Sequence, residues 1–214
     1  MGTDIHVLTE RYYEDKGWFN TDSWRYNPYY DETDKDSCEG EMELVEIFDD
    51  RNYYLFSILA DVRNYMGEVI PISEPRGLPE DCHEITRKYA EEYEGHSHSY
   101  FTLKELYDNW SKWDTVQQES GILVGQQLTD FDEKGIIPSD SVRNWYNGKE
   151  EHAYREWTIE YNPMDRFMVA LIGRFCELFW IVRYKEIDYK ENEEFKQAVE
   201  KYGNEFRTVF FFDS

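Results

Sequence analysis

The chain closes on Arg207-Thr208-Val209-Phe210-Phe211-Phe212-Asp213, a nearly unbroken run of β-branched and aromatic residues. A strand with one solvated face alternates polar and apolar side chains; a continuous apolar run reads as a strand buried in the middle of a sheet. The other terminus also reads as a strand. From Thr3 to Arg11, Asp4, His6 and Leu8 alternate with Ile5, Val7 and Thr9, the two-residue period of β structure. Both ends of the chain are therefore expected in one sheet.

Further elements follow from local chemistry. Gly17-Trp18-Phe19, after the turn signal Glu14 to Gly17, begins a hairpin partner for the first strand. Met42 to Phe48, Trp113 to Val124 and Arg155 to Tyr161 are strand-like. A helix is expected from Asp49 to about Arg63, with Leu55, Phe56, Leu59, Ala60 and Val62 on its apolar face. Others are expected over Asp81 to Tyr93, from Thr102 to about Trp110, over Gly125 to Lys134 closed by Gly135, and over Lys190 to Tyr202. Ser139 or Asp140 caps a short stretch through Asn147, and Asp31 to Gly40 reads as an exposed loop. After Pro163 a helix that is apolar on most faces runs to about Arg183 and should be central to the core. The expected fold is a single α+β domain over residues 1–214, with a mixed or antiparallel sheet that contains both terminal strands and packs on that helix.

A net charge of −23 over 214 residues excludes general affinity for nucleic acid or anionic membranes, because the molecular field repels phosphate. Aromatic residues at 18% are too many for a disordered chain. Cys38, Cys82 and Cys176 are widely spaced, which suits free thiols in a reducing compartment. The first ten residues lack a signal-peptide core, and Phe167 to Val182 is too short and too interrupted to cross a bilayer, so a cytoplasmic location is expected.

Candidate site residues cluster in four stretches. His96 and His98 lie in Gly95-His96-Ser97-His98-Ser99, read as a tight loop just ahead of a helix start. Thr102 and Glu105 form a capping-box pattern there, and the free N–H groups of such an end favour an anion. Asp4 and His6 share a strand face, roughly 7 Å apart along it. Arg76 sits on a turn stiffened by Pro75, Gly77 and Pro79. Arg51 and Arg63 bracket a helix. Each also has a plain reading: a satisfied strand histidine, a solvated turn arginine, and a cation complementing a helix end.

In combination these stretches resemble an uncharacterised family of small bacteriophage, prophage and bacterial proteins. The resemblance rests on Met-Gly-x-Asp-Ile-His at Met1 to His6 and Arg-Asn-Tyr-x-Leu-Phe-x-x-Leu-Ala-x-Val-Arg-Asn at Arg51 to Asn64. Pro-Arg-Gly-Leu-Pro at Pro75 to Pro79, Gly-His-Ser-His-Ser at Gly95 to Ser99, and an apolar strand ending in Asp at Val209 to Asp213 complete it. It implies a phage setting and a shared site, and it carries no reaction.

Three functions are compatible with these residues. In the first, His96, His98, Arg76, Arg51 and Arg63 bind a phosphate-containing small molecule, such as a nucleotide signal of host defence, and sequester it. In the second the same ligand is hydrolysed, by a histidine acid/base or by one divalent metal ion; Asp4, His6, His96 and His98 match zinc in number and donor type. In the third the acidic surface mimics nucleic acid and blocks a host protein. No Gly-x-Ser-x-Gly, P-loop, His-Glu-x-x-His or zinc-finger spacing is present, which places sequestration ahead of hydrolysis.

Overall fold

In the computed structural model, which describes residues 2–30, 33, 41–93, 95–138, 148, 150–183 and 188–213, the first strand and the last lie side by side. β1 (Ile5–Tyr13) runs antiparallel to β8 (Phe206–Phe212), with Ile5 opposite Phe212 and Arg11 opposite Phe206. β2 (Gly17–Asn20) folds back on β1 as the expected hairpin. On the other side of β8 lies β5 (His96–Thr102), giving the antiparallel order β2-β1-β8-β5. β8 is thus an interior strand, and all seven of its residues are buried. Burying Phe206, Phe210, Phe211 and Phe212 contributes on the order of 1.5–3 kcal/mol each.

Alternation along the strands divides the core between two faces. Ile5, Val7, Phe206, Phe210 and Phe212 pack on one face against α1 (Tyr53–Ala60), α3 (Leu103–Trp110), α5 (Asp165–Leu178) and α6 (Glu193–Tyr202). On the other, Leu8 and Phe211 meet Ala90 of α2 (Glu84–Glu92) and Leu44 of β4 (Met42–Leu44), which pairs with β3 (Trp24–Tyr26). The fold is α+β, with an antiparallel sheet that holds both terminal strands and packs on the apolar helix α5.

The helices are shorter than the sequence suggests. Asn52 accepts hydrogen bonds from the N–H groups of Tyr54 and Leu55, so α1 starts at Tyr53, and Asp61 ends it in the left-handed region at φ 57°. α5 stops at Leu178 instead of reaching Arg183. The strand expected over Met42 to Phe48 is limited to Met42–Leu44. The expected elements over Asp31 to Gly40 and Ser139 to Asn147 lie almost wholly outside the described residues.

The chain divides into two compact units, Met1–Trp113 with Pro163–Ser214, and Asp114–Asn162. In the second, β6 (Thr115–Val124) and β7 (His152–Tyr161) pair antiparallel over ten residues. Its helix α4 (Gln126–Lys134) ends at Gly135, φ 67°, and is tied to β7 by the Arg155–Asp132 ion pair and the Phe131–Trp157 ring contact. Cys82 and Cys176 are free thiols, and among the described residues no helix is long and apolar enough to cross a membrane.

Candidate functional site

The Gly-His-Ser-His-Ser stretch is strand, not loop. Pairing with β8 places His96 opposite Phe212 and Ser99 opposite Phe210, so Ser97 and His98 together oppose the single Phe211 and β5 bulges there. Ser97, at φ 53°, absorbs the extra residue. A regular strand would keep His96 and His98 on one face; the bulge turns them to opposite faces. His96 lies on the Phe212 side, ring centroids 6.1 Å apart, and His98 stacks on Phe211 at 5.1 Å. Gly95 is required here, because a Cβ would come within 2.2 Å of Phe211 Cδ2.

His6 stacks on Phe211 from β1, at 4.9 Å and 19° between planes. Since β1 and β5 flank β8, the Phe211 ring stands between His6 and His98, and the two imidazoles cannot share one metal ion. Asp4 is engaged elsewhere, with both oxygens 2.6 Å from Nε and Nη2 of Arg51, which holds its carboxyl below the usual range. The expected zinc ligands Asp4, His6, His96 and His98 therefore do not converge on one coordination sphere. Among the described residues no group of three or more His, Cys, Asp or Glu side chains is arranged to hold a metal.

The arginines are also occupied. The helix start after Thr102 carries the expected capping box. The anion at that end is the chain's own Glu105, which accepts from the Thr102 N–H at 2.8 Å and pairs with Arg76 at 2.9 Å. Burial alone lifts the Glu105 carboxyl; Arg76 and Thr102 more than reverse it, leaving it below its ordinary range. Arg76 also donates to the Tyr100 carbonyl and lies over the Phe101 ring. Its turn docks on β5, with Gly77 N–H donating to the His98 carbonyl and Arg76 N–H to Ser99 Oγ. Arg63 sits beyond the end of α1, donates from Nε to Thr3 Oγ1 at 2.7 Å, and bonds the Tyr65 hydroxyl. Arg51 and Arg63 thus meet on residues 3 and 4, while Arg76 belongs to the turn beside β5.

One expected residue packs behind the wall of a large cavity. His6 is more than nine-tenths buried and lies between two carboxylates, with Nε2 3.2 Å from Asp213 and Nδ1 3.6 Å from Glu46. Burial is the strongest influence on this imidazole and disfavours its charge, but Glu46 and Asp213 together outweigh it and raise its pKa. Tyr93 covers the ring at 4.6 Å, and Tyr89 contacts both. Burial pushes the Tyr89 phenol up, with its hydrogen bond to Tyr93 acting the same way.

Glu46, Tyr89 and Tyr93 also line a groove of about 1350 Å³ between β3, β4 and α2. Its walls carry five carboxylates, Glu41, Glu43, Glu46, Asp49 and Glu92, against Arg25 and Lys88, and Trp24 adds a third aromatic surface. Arg25 pairs with Glu43 and Lys88 with Glu92, which leaves Glu41, Glu46 and Asp49 facing the groove without a basic partner among its walls. Sequence reading passes over this site because its carboxylates come from two separate segments, 41–49 and the end of α2. No protein-family model, curated protein or solved structure matches the chain.

Proposed function

We propose that this chain is a binding protein, of phage type on the resemblance of its motifs, that takes a lysine- or arginine-bearing segment of a host protein into the acidic groove. The observation that carries this reading is the pairing of Glu41, Glu46 and Asp49, which have no basic partner among the groove's walls, with the aromatic walls Trp24, Tyr89 and Tyr93. Carboxylates attract an ammonium or guanidinium group, and aromatic faces add cation–π attraction where water is excluded. A net charge of −23 speeds encounter with a basic partner.

Calorimetric titration with a lysine/alanine peptide tests it, provided that general attraction to an acidic surface is controlled. Glu41→Gln with Asp49→Asn should weaken binding by about tenfold, whereas Glu193→Gln with Glu194→Gln on α6, the same change in charge, should leave it within about twofold. Equal loss in both variants would mean that only the overall field acts, and the groove would drop out.

A second reading keeps the phosphate-containing small molecule, sequestered or hydrolysed, and is favoured by the meeting of Arg51 and Arg63 on Thr3 and Asp4. A phosphate there would displace the half-exposed Asp4 carboxylate from Arg51. Incubation with a panel of mono-, di- and cyclic nucleotides, followed by denaturation and chromatography, separates recovered ligand from turnover, and Arg63→Gln should abolish either.

A further inference from the structure

On the far side of the segment that follows β4 lies a smaller cavity, about 460 Å³, of the size that holds small organic ligands. Its lining has the opposite character from the acidic groove. Three arginines reach it, Arg166 and Arg174 from one face of α5 and Arg183 from the chain beyond it. Two carboxylates answer them: Asp50 pairs with Arg166 at 2.6 Å and Glu177 with Arg174 at 2.9 Å. Three guanidinium charges against two carboxylates leave one positive charge in excess, within a molecule of net charge −23.

The excess resides on Arg183, which makes no ion pair or hydrogen bond among the described residues. Its guanidinium rests on Gly173, where a Cβ would come within 2.9 Å of Nη1. A Cβ there would shift the tip of the Arg183 side chain. Arg174 is fixed beside it, its side chain 12% exposed and held by Glu177, the Thr21 carbonyl and Ser23 Oγ. Its Nε is buried and has no hydrogen-bond partner among the described residues. The remaining walls, Val45, Ile47, Val169 and Ala170, are apolar.

We infer that this cavity binds a phosphate-bearing small molecule, with the phosphate on Arg183 and Arg174 and the organic part against Val45, Ile47 and Val169. Guanidinium forks match phosphate oxygens in pairs, and a charge-assisted bond at a partly enclosed site is stronger than its neutral counterpart. The molecular charge opposes long-range encounter but is screened beyond roughly 8 Å at physiological salt, so a small anion can reach a local basic site that a polyanion cannot. Val45 borders both cavities; the arginines that carry the inference belong neither to the acidic groove nor to the Arg51–Arg63 segment, and it stands without either.

The test is calorimetric titration of the full chain with phenyl phosphate, accompanied by amide NMR shifts. Saturable binding is expected, with shifts at Val169, Ala170 and Gly173, and tighter than binding of inorganic phosphate, which lacks the apolar part. Arg183→Gln should lower the affinity about tenfold or more, because it removes an exposed charge without touching the core. Lys196→Gln on α6 should change it by less than about twofold. No saturable binding by the wild type, or equal losses in the two variants, overturns the site. Tighter binding of benzoate than of phenyl phosphate overturns the phosphate assignment.

Discussion

Nε2 of His6 lies 3.2 Å from Oδ2 of Asp213, a contact that joins the first strand to the end of the last across 207 residues. The same carboxylate accepts from the Asp4 N–H at 3.0 Å through Oδ1, so one side chain fixes both the backbone and the imidazole of the N-terminal segment. With Glu46 on its other nitrogen, His6 is a buried imidazole held between two carboxylates, an arrangement built from three separate parts of the chain.

That arrangement predicts a pH dependence with a definite sign. His6 has a pKa raised above its ordinary 6.5 in the fold, so the folded state holds the proton more tightly than the unfolded one. Its contribution to stability is complete below about pH 6.5 and is lost as pH rises through the folded value. Urea unfolding of wild type and His6→Asn should show a stability difference that shrinks from about pH 6 to about pH 9. A constant difference across that range would remove the charged imidazole from the account.

Arg207 and Glu10 form the most deeply buried ion pair in the protein's described residues, 2.8 Å apart with side chains 4% and 0% exposed. Glu10 also accepts from the His83 N–H, and Arg207 reaches Asp81 and lies 3.9 Å from the centre of the Trp18 ring. Arg207→Met leaves the Glu10 carboxylate buried without its cation and should cost about 3–5 kcal/mol in chemical denaturation. Adding Glu10→Leu removes that charge, and the double variant should recover part of the loss. A double variant no more stable than the single one would show that the loss comes from packing around Trp18.

Gly95 is fixed by the ring of Phe211. Gly95→Ala must displace that ring or the edge of β5, and should destabilise by about 1–3 kcal/mol. The lost stacking of His98 on Phe211 should appear in its imidazole NMR shifts. Unchanged stability and unchanged shifts would mean that the strand edge moves freely.

Thr102→Ala removes the hydroxyl that accepts from the Glu105 N–H at 3.2 Å. Loss of such a cap costs about 1 kcal/mol. Because Glu105 also anchors Arg76, hydrogen exchange should quicken at Gly77 as well as in the first turn of α3. Exchange that quickens in the helix alone would separate the cap from the turn.

What the sequence determined by itself is what depends on neighbours along the chain. The buried strand 206–212, the hairpin opened at Gly17, the capping box of Thr102 and Glu105 and the stop at Gly135 each rest on local sterics, hydrogen bonding or a run of apolar residues. The tertiary structure decided how the charged and aromatic side chains were used. His-x-His on a regular strand shares a face, but here pairing with β8 placed a bulge at Ser97 and sent the two rings to opposite sides of the sheet. The arginines that suggested a phosphate site were met by Asp4, Thr3 and Glu105, residues distant from them in sequence. Arg183, which no local pattern distinguishes, lies over Gly173 and pairs with nothing among the described residues. Hydrogen bonds and ion pairs act over a few ångströms, and only folding brings such partners within that distance.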